Sequence, residues 1–161
     1  MSAQPKPTAP PNWRARPMQR TDLEQVVRVE REIYPFPWTA GNFADSLDAR
    51  YDAWMFEFPD ALAGYAIVMR APDEAHLLNL GVAAPYQGRG LGRSLLEWLA
   101  GDAARRGARA MLLEVRPSNL RALRLYETAG FERIGLRRAY YPAHEGSRED
   151  ALVLKRVLGD G

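Results

Sequence analysis

The chain has 161 residues, 47% hydrophobic and 26% charged, the balance of one soluble globular domain, which excludes a disordered, collagen-like or coiled-coil chain. It has no cysteine and only two well-separated histidines, His76 and His144, so disulfides, thiolate metal sites and a cysteine nucleophile are excluded and no structural metal is expected. The 22 basic and 20 acidic residues leave a net charge of +2, too small to indicate general nucleic-acid binding.

Residues 1–11 hold four prolines and no apolar run, so a disordered proline-rich tail is expected over 1–12, with no secretory signal. The longest apolar stretch, 61–69, has nine residues. A bilayer span needs about 20, so a cytoplasmic protein with no membrane partner is expected. A folded domain is predicted over 13–158, with 159–161 as a short tail.

A strand over 14–18 leads to Thr21-Asp22-Leu23-Glu24, a capping-box pattern that opens a helix to about Tyr34. Pro35 and Pro37 cannot continue that helix because neither has an N–H, and Thr39 caps a second helix to about Arg50. Runs at 54–58 and 62–69 around Pro59-Asp60 read as a hairpin, and a further strand covers 75–82. A helix over 90–106 carries Leu91, Leu95, Trp98 and Leu99 on one face and ends at Gly107. A strand over 110–115, a helix over 119–129 ended by Gly130, and strands over 131–136 and 151–157 close the chain. This order predicts a single α/β (α+β) domain, a mixed seven-stranded sheet flanked by about four helices.

The stretch from Leu80, Gly81 and Val82 through Gln87-Gly88-Arg89-Gly90-Leu91-Gly92-Arg93 runs from strand through turn into helix. N–H groups converge at such a helix start and the helix dipole adds partial positive charge, so an anion is favoured there. Gly88, Gly90 and Gly92 let the backbone approach a ligand closely, and Arg89 and Arg93 offer charged side chains. This reads as a pyrophosphate cradle; the alternative is a tight turn with glycine-mediated helix packing. No lysine follows the glycines as in a P-loop, and G-x-G-x-G is not the dinucleotide fingerprint.

Gln87-x-x-Gly90-x-Gly92 resembles the acetyl-CoA pyrophosphate motif of the GNAT superfamily of N-acetyltransferases, and the element order over about 14–158 resembles the GNAT fold. Phe36-Pro37-Trp38-Thr39, Leu113 to Asn119, Leu125 to Phe131, and Tyr140-Tyr141-Pro142 with Arg148-Glu149-Asp150-Ala151 resemble its RimI subfamily. That subfamily acetylates the N-terminal alanine of a small-subunit ribosomal protein. The resemblance implies acetyl-CoA as cosubstrate, no metal, and a protein N-terminus as partner. It assigns the cofactor to Leu80, Gly81, Val82, residues 87–93 and Asn119, and implies that N–H groups near Leu80 to Val82, splayed from the next strand, polarise the thioester carbonyl. Two features depart from the pattern: the proline-rich tail is extra, and Gly81 stands where alanine is expected, which would loosen that strand.

Amine acetylation needs a neutral amine and a proton for the departing thiolate. At pH 7, neutralising an α-amine costs about 1 kcal/mol and a lysine about 4.6 kcal/mol, so a protein N-terminus requires only a modest base. Glu114, alternating with Leu112 on one face of an apolar strand, is the candidate base; the alternative is a strand-end salt bridge to Arg116 or Arg121. Tyr126, seven residues after Asn119 on one helix side, is either a core residue or, by the resemblance, the acid that protonates the thiolate. Phe36, Trp38, Tyr140 and Tyr141 are expected to wall the peptide side, or the Phe36-Pro37-Trp38 loop merely lids the core. Glu30, Glu32, Asp73 and Glu74 read mainly as a solvated face. The expected function is N-terminal acetyl transfer by a monomer. A small-molecule amine substrate and a non-catalytic acyl-CoA-binding module are the alternatives.

Overall fold

The computed structural model describes residues 12–159; the expected tails lie mostly outside the described residues. The elements are β1 (Arg14–Pro17), α1 (Leu23–Ile33), α2 (Ala40–Asp48), β2 (Asp52–Phe58), β3 (Ala61–Ala71), β4 (Glu74–Val82), α3 (Leu91–Arg105), β5 (Ala110–Val115), α4 (Leu120–Thr128), β6 (Glu132–Pro142) and β7 (Arg148–Val157). The seven strands form one sheet in the order β1-β2-β3-β4-β5-β7-β6. Neighbours pair antiparallel except β4 and β5, which run parallel.

Each face of the sheet has its own core. On one, Leu95, Leu96 and Leu99 of α3 and Leu123 of α4 pack on Phe56, Ala66, Met111 and Leu154. On the other, Val26 and Val27 of α1 and Phe43 of α2 pack on Met55, Tyr65 and Ile67. β3 is therefore buried on both faces, and its near-continuous apolar run has that cause.

Helix starts and stops follow the side chains available. Thr39 Oγ1 accepts the Asn42 N–H at 3.1 Å while Asn42 Oδ1 accepts the Thr39 N–H at 2.9 Å, a reciprocal cap that starts α2. α2 stops at Asp48, two residues short of its expected end. The cap of α1 differs from the expected one: Asp22 accepts the Gln19 N–H at 2.7 Å, Thr21 lies inside a short 3₁₀ turn, and α1 begins at Leu23. Asp22 is drawn there because Arg16 on β1 also grips its carboxylate, at 2.7 and 2.8 Å.

A gap in the sheet positions everything that follows. β4 and β5 pair only from Glu74↔Ala110 to Leu77↔Leu113. Beyond that point β4 stays with β3 and β5 stays with β7, through Glu114↔Val153 and Val115↔Leu152. The cause lies in β4: Leu77 faces Val68 and Asn79 faces Ile67, so Leu78 is an extra residue. Such a bulge bends its strand and raises its twist. Gly81 is required just past it, because a Cβ there would lie 2.3 Å from the Tyr65 ring. Tyr65, the cross-strand partner of Gly81, fills the missing side chain's space, so the glycine does not loosen β4 as the sequence suggested.

Candidate active site

The side of the gap that carries the glycine turn is made of backbone. Ala83 donates its N–H to the Ala63 carbonyl at 2.9 Å, and antiparallel alternation then turns the N–H groups of Leu80 and Val82 away from β3, into the gap. Gly88 and Gly90 have φ of +75° and +80°, and a Cβ at either would meet nothing within 4 Å. The turn is therefore open, and its left-handed conformation is what calls for glycine. α3 starts directly after Gly90, whose carbonyl accepts the Ser94 N–H at 3.2 Å, leaving the N–H groups of Leu91, Gly92 and Arg93 at the helix start free of helix partners.

Other residues of the predicted cradle do different work. Gly92 is a packing glycine: a Cβ there would lie 3.3 Å from Leu125 of α4. Gln87 braces the turn, its Nε2 donating to the Val82 carbonyl at 2.9 Å and its Oε1 accepting from Arg121 at 2.8 Å. Asn119 caps α4 by accepting the Ala122 N–H at 3.2 Å. Arg93 lies 3.6 Å from Glu97, one turn on, and Arg89 is exposed beside the glycines. Leu91 packs partly against the core.

Glu114 stands at the β5 side of the gap, 26% exposed, with Oε1 2.8 Å from Arg137 Nη1. The arginine comes from β6, not from Arg116 or Arg121, because β6 runs on past the expected 136 to Pro142 and passes in front of the strand end. Tyr126, on α4, has its hydroxyl pushed up to about 12 by desolvation and makes no hydrogen bond with the described residues. Desolvation raises the pKa of Tyr141, and the Glu114 carboxylate raises it further.

Of the residues expected to wall the peptide side, Phe36 and Tyr141 are brought together by one cation. The Arg116 guanidinium sits 4.4 Å from the centroids of both Phe36 and Tyr141, and its Nη1 donates to the Pro142 carbonyl at 2.7 Å. Glu149 lies 3.5 Å from Arg116 and accepts the Ser118 N–H and hydroxyl at 2.8 and 2.9 Å. Against desolvation, those bonds hold its carboxyl below the ordinary range. Tyr140 lies under Arg137, 4.7 Å from ring centroid to guanidinium. Trp38 does not join the cluster. Its ring packs 5.1 Å from Phe43 of α2, because the turn that points Phe36 outward points Trp38 inward.

Sequence reasoning missed a buried polar network behind the gap. Glu30, expected on a solvated face, is 2% exposed, one turn from Val26 and Val27 on the buried side of α1. Its spacing of three and four from those valines was the available signal. It accepts the Tyr65 hydroxyl at 2.6 Å, the Trp38 N–H at 3.0 Å and Asn79 Nδ2 at 3.3 Å. Desolvation raises its pKa, and those three bonds oppose the shift. Tyr34 donates to the Leu80 carbonyl, fixing the end of α1 to β4. Desolvation raises its pKa. Among the described residues no cluster of three or more His, Cys, Asp or Glu side chains is placed to hold a metal, and no helix is long and apolar enough to cross a membrane.

A sheet parted between its parallel strands, with a glycine turn and a helix start beside the parting, is the GNAT fold of the N-acetyltransferases. The acetyltransferase (GNAT) family model matches residues 23–131, and the chain belongs to that family. It is 39% identical over 137 residues to the [ribosomal protein bS18]-alanine N-acetyltransferase of Escherichia coli K12, covering 85% of this chain and 92% of that one. The enzyme of the same name from Haemophilus influenzae is 34% identical over 141 residues, covering 88% and 96%. The crystal structure of the ribosomal-protein-S18-alanine N-acetyltransferase from Escherichia coli superposes with a TM-score of 0.82 at 37% identity, covering 91% and 94%.

Proposed function

We propose that this protein is a cytoplasmic enzyme that acetylates the N-terminal alanine of a ribosomal protein, moving acetyl directly from acetyl-CoA to the α-amine. The likeness to enzymes named for alanine acetylation on bS18 supports the substrate. The observation that carries the chemistry is the parting of β4 from β5 beyond Leu77↔Leu113, which leaves the carboxylate of Glu114 at the β5 side of the gap, with Tyr126 on α4, the helix that follows β5.

Acetyl-CoA fits what the chain offers: an open turn of left-handed glycines, free N–H groups at the start of α3, and Asn119 at the neighbouring helix. The cosubstrate supplies a thioester carbonyl. The N–H groups of Leu80 and Val82 donate to its oxygen as negative charge develops there. Glu114 takes a proton from the α-ammonium, directly or through one water, and releases Arg137 to do so. The amine nitrogen then bonds to the carbonyl carbon and the carbon–sulfur bond breaks. Tyr126 gives its proton to the sulfur, the second proton lost by nitrogen as the amide forms restores the phenol through solvent, and Glu114 passes the first to water. A phenol with a pKa near 12 stays protonated throughout the neutral range and is ready to donate. With no cysteine in the chain, direct transfer needs no thiol-bound intermediate.

Purified protein incubated with acetyl-CoA and a peptide that starts with alanine and carries an internal lysine tests this. Tandem mass spectrometry is expected to place acetyl on the α-amine. Acetyl on the lysine alone, or no acetyl despite bound acetyl-CoA, would reject the assignment.

A further inference from the structure

Arg148, Glu149 and Asp150 open β7, and each bonds a different part of the peptide-side wall. Opposite them β6 bulges: Arg137 pairs with Ala151 and Tyr141 with Glu149, so Arg138, Ala139 and Tyr140 together face Asp150. Ala139 has a φ of +49°, in the left-handed region that an alanine occupies only where its surroundings hold it. Asp150 Oδ1 accepts the Ala139 N–H at 2.7 Å. Arg148 grips the other side of the same residues, donating from Nε to the Ala139 carbonyl at 2.7 Å and from Nη2 to the Tyr140 carbonyl at 3.0 Å. Glu149, on the opposite strand face, anchors Arg116 and Ser118.

A bulge re-aims the side chains beyond it. Here Tyr140 reaches the guanidinium of Arg137, which holds Glu114, and Tyr141 reaches Arg116 and the Glu114 carboxylate's field. Both rings of the wall thus converge on the candidate base because three backbone groups are held from β7.

We propose that Arg148, Glu149 and Asp150 form a clasp that shapes the peptide-side wall, and that Asp150, by holding Ala139 left-handed, aims Tyr140 and Tyr141 at the Glu114 groove. All three are positioning residues. The ligand of the wall, a protein N-terminus, rests on the function proposed above; the clasp itself rests on the bonds.

The full chain is assayed with acetyl-CoA and the alanine-initiated peptide. Asp150→Ala is expected to raise KM for the peptide about tenfold, with kcat and KM for acetyl-CoA within about twofold of wild type. Asp150→Asn keeps an oxygen to accept the Ala139 N–H and is expected to stay near wild type. Hydrogen exchange at the amides of 139–141 is expected to quicken about tenfold in Asp150→Ala and not in Asp150→Asn. An unchanged peptide KM in Asp150→Ala, equal losses in the two variants, or unchanged exchange would overturn the clasp. If wild type acetylates no N-terminus, the proposed function falls, and the exchange rates alone decide the clasp.

Discussion

On the proposed cofactor side of the gap, the groups offered to a ligand are backbone N–H groups of β4, the glycine turn and the start of α3. On the proposed peptide side they are side chains of Phe36, Glu114, Arg116, Arg137, Tyr140 and Tyr141, drawn from separate segments and locked together by charge and ring contacts. The first side is set by local conformation, within one short contiguous stretch. The second is set by long-range pairing, and depends on half-buried supports such as Glu149. Changes on the first side should act through backbone shape and acetyl-CoA; changes on the second should act through the network and the peptide.

The largest effect is expected in the buried network behind the gap. Glu30→Ala leaves the Tyr65 hydroxyl and the Trp38 N–H without their acceptor in the interior, and should cost about 3 kcal/mol in urea unfolding. Because burial raises the Glu30 pKa, the folded state favours its neutral form. Its contribution is therefore full below the unfolded value of 4.5 and declines as pH rises through the folded one. Always-neutral Glu30→Gln should gain on wild type in stability between pH 4.5 and 7, which unfolding at the two pH values would show. Next, Tyr126→Phe should lower kcat about 10²-fold. With that hydroxyl near 12, wild-type kcat should show no alkaline fall up to about pH 10.

The comparison sharpens with smaller effects. Gly90→Ala places a side chain at φ +80°, and should cost about 1 kcal/mol and raise KM for acetyl-CoA several-fold while leaving KM for the peptide unchanged. Arg137→Gln removes an exposed ion pair and should change stability by less than about 1 kcal/mol in the same unfolding assay. An effect of either variant on the opposite substrate would erase the division between the two sides.

The same division explains what could be read in the sequence. The element order, β5 to the residue, the Thr39 cap and the left-handed Gly107 and Gly130 at helix ends all rest on local rules of periodicity and capping, and the structure bears them out. Gly88 and Gly90 were equally legible, since a turn that needs positive φ writes glycine into the chain. Glu30 was misread because its burial depends on Tyr65 and Asn79, 35 and 49 residues away, although its spacing from Val26 and Val27 hinted at it. The partner of Glu114 was misassigned for a similar reason: nothing local to β5 shows that β6 continues past its predicted end and brings Arg137 across. Trp38 and Phe36 share one motif yet part company, because a two-residue step across a proline turn sends one ring inward and the other to Arg116.

The most direct test of catalysis in the parted strands is kcat/KM of Glu114→Gln for the alanine-initiated peptide, followed from pH 6 to 9 against wild type. With Glu114 as the base, the variant should be slower by about 10²-fold at pH 7, and the deficit should shrink toward pH 9 as an amine of pKa ~7.8 loses its proton unaided. A variant that matches wild type at pH 7, or a deficit that does not change with pH, would contradict that assignment.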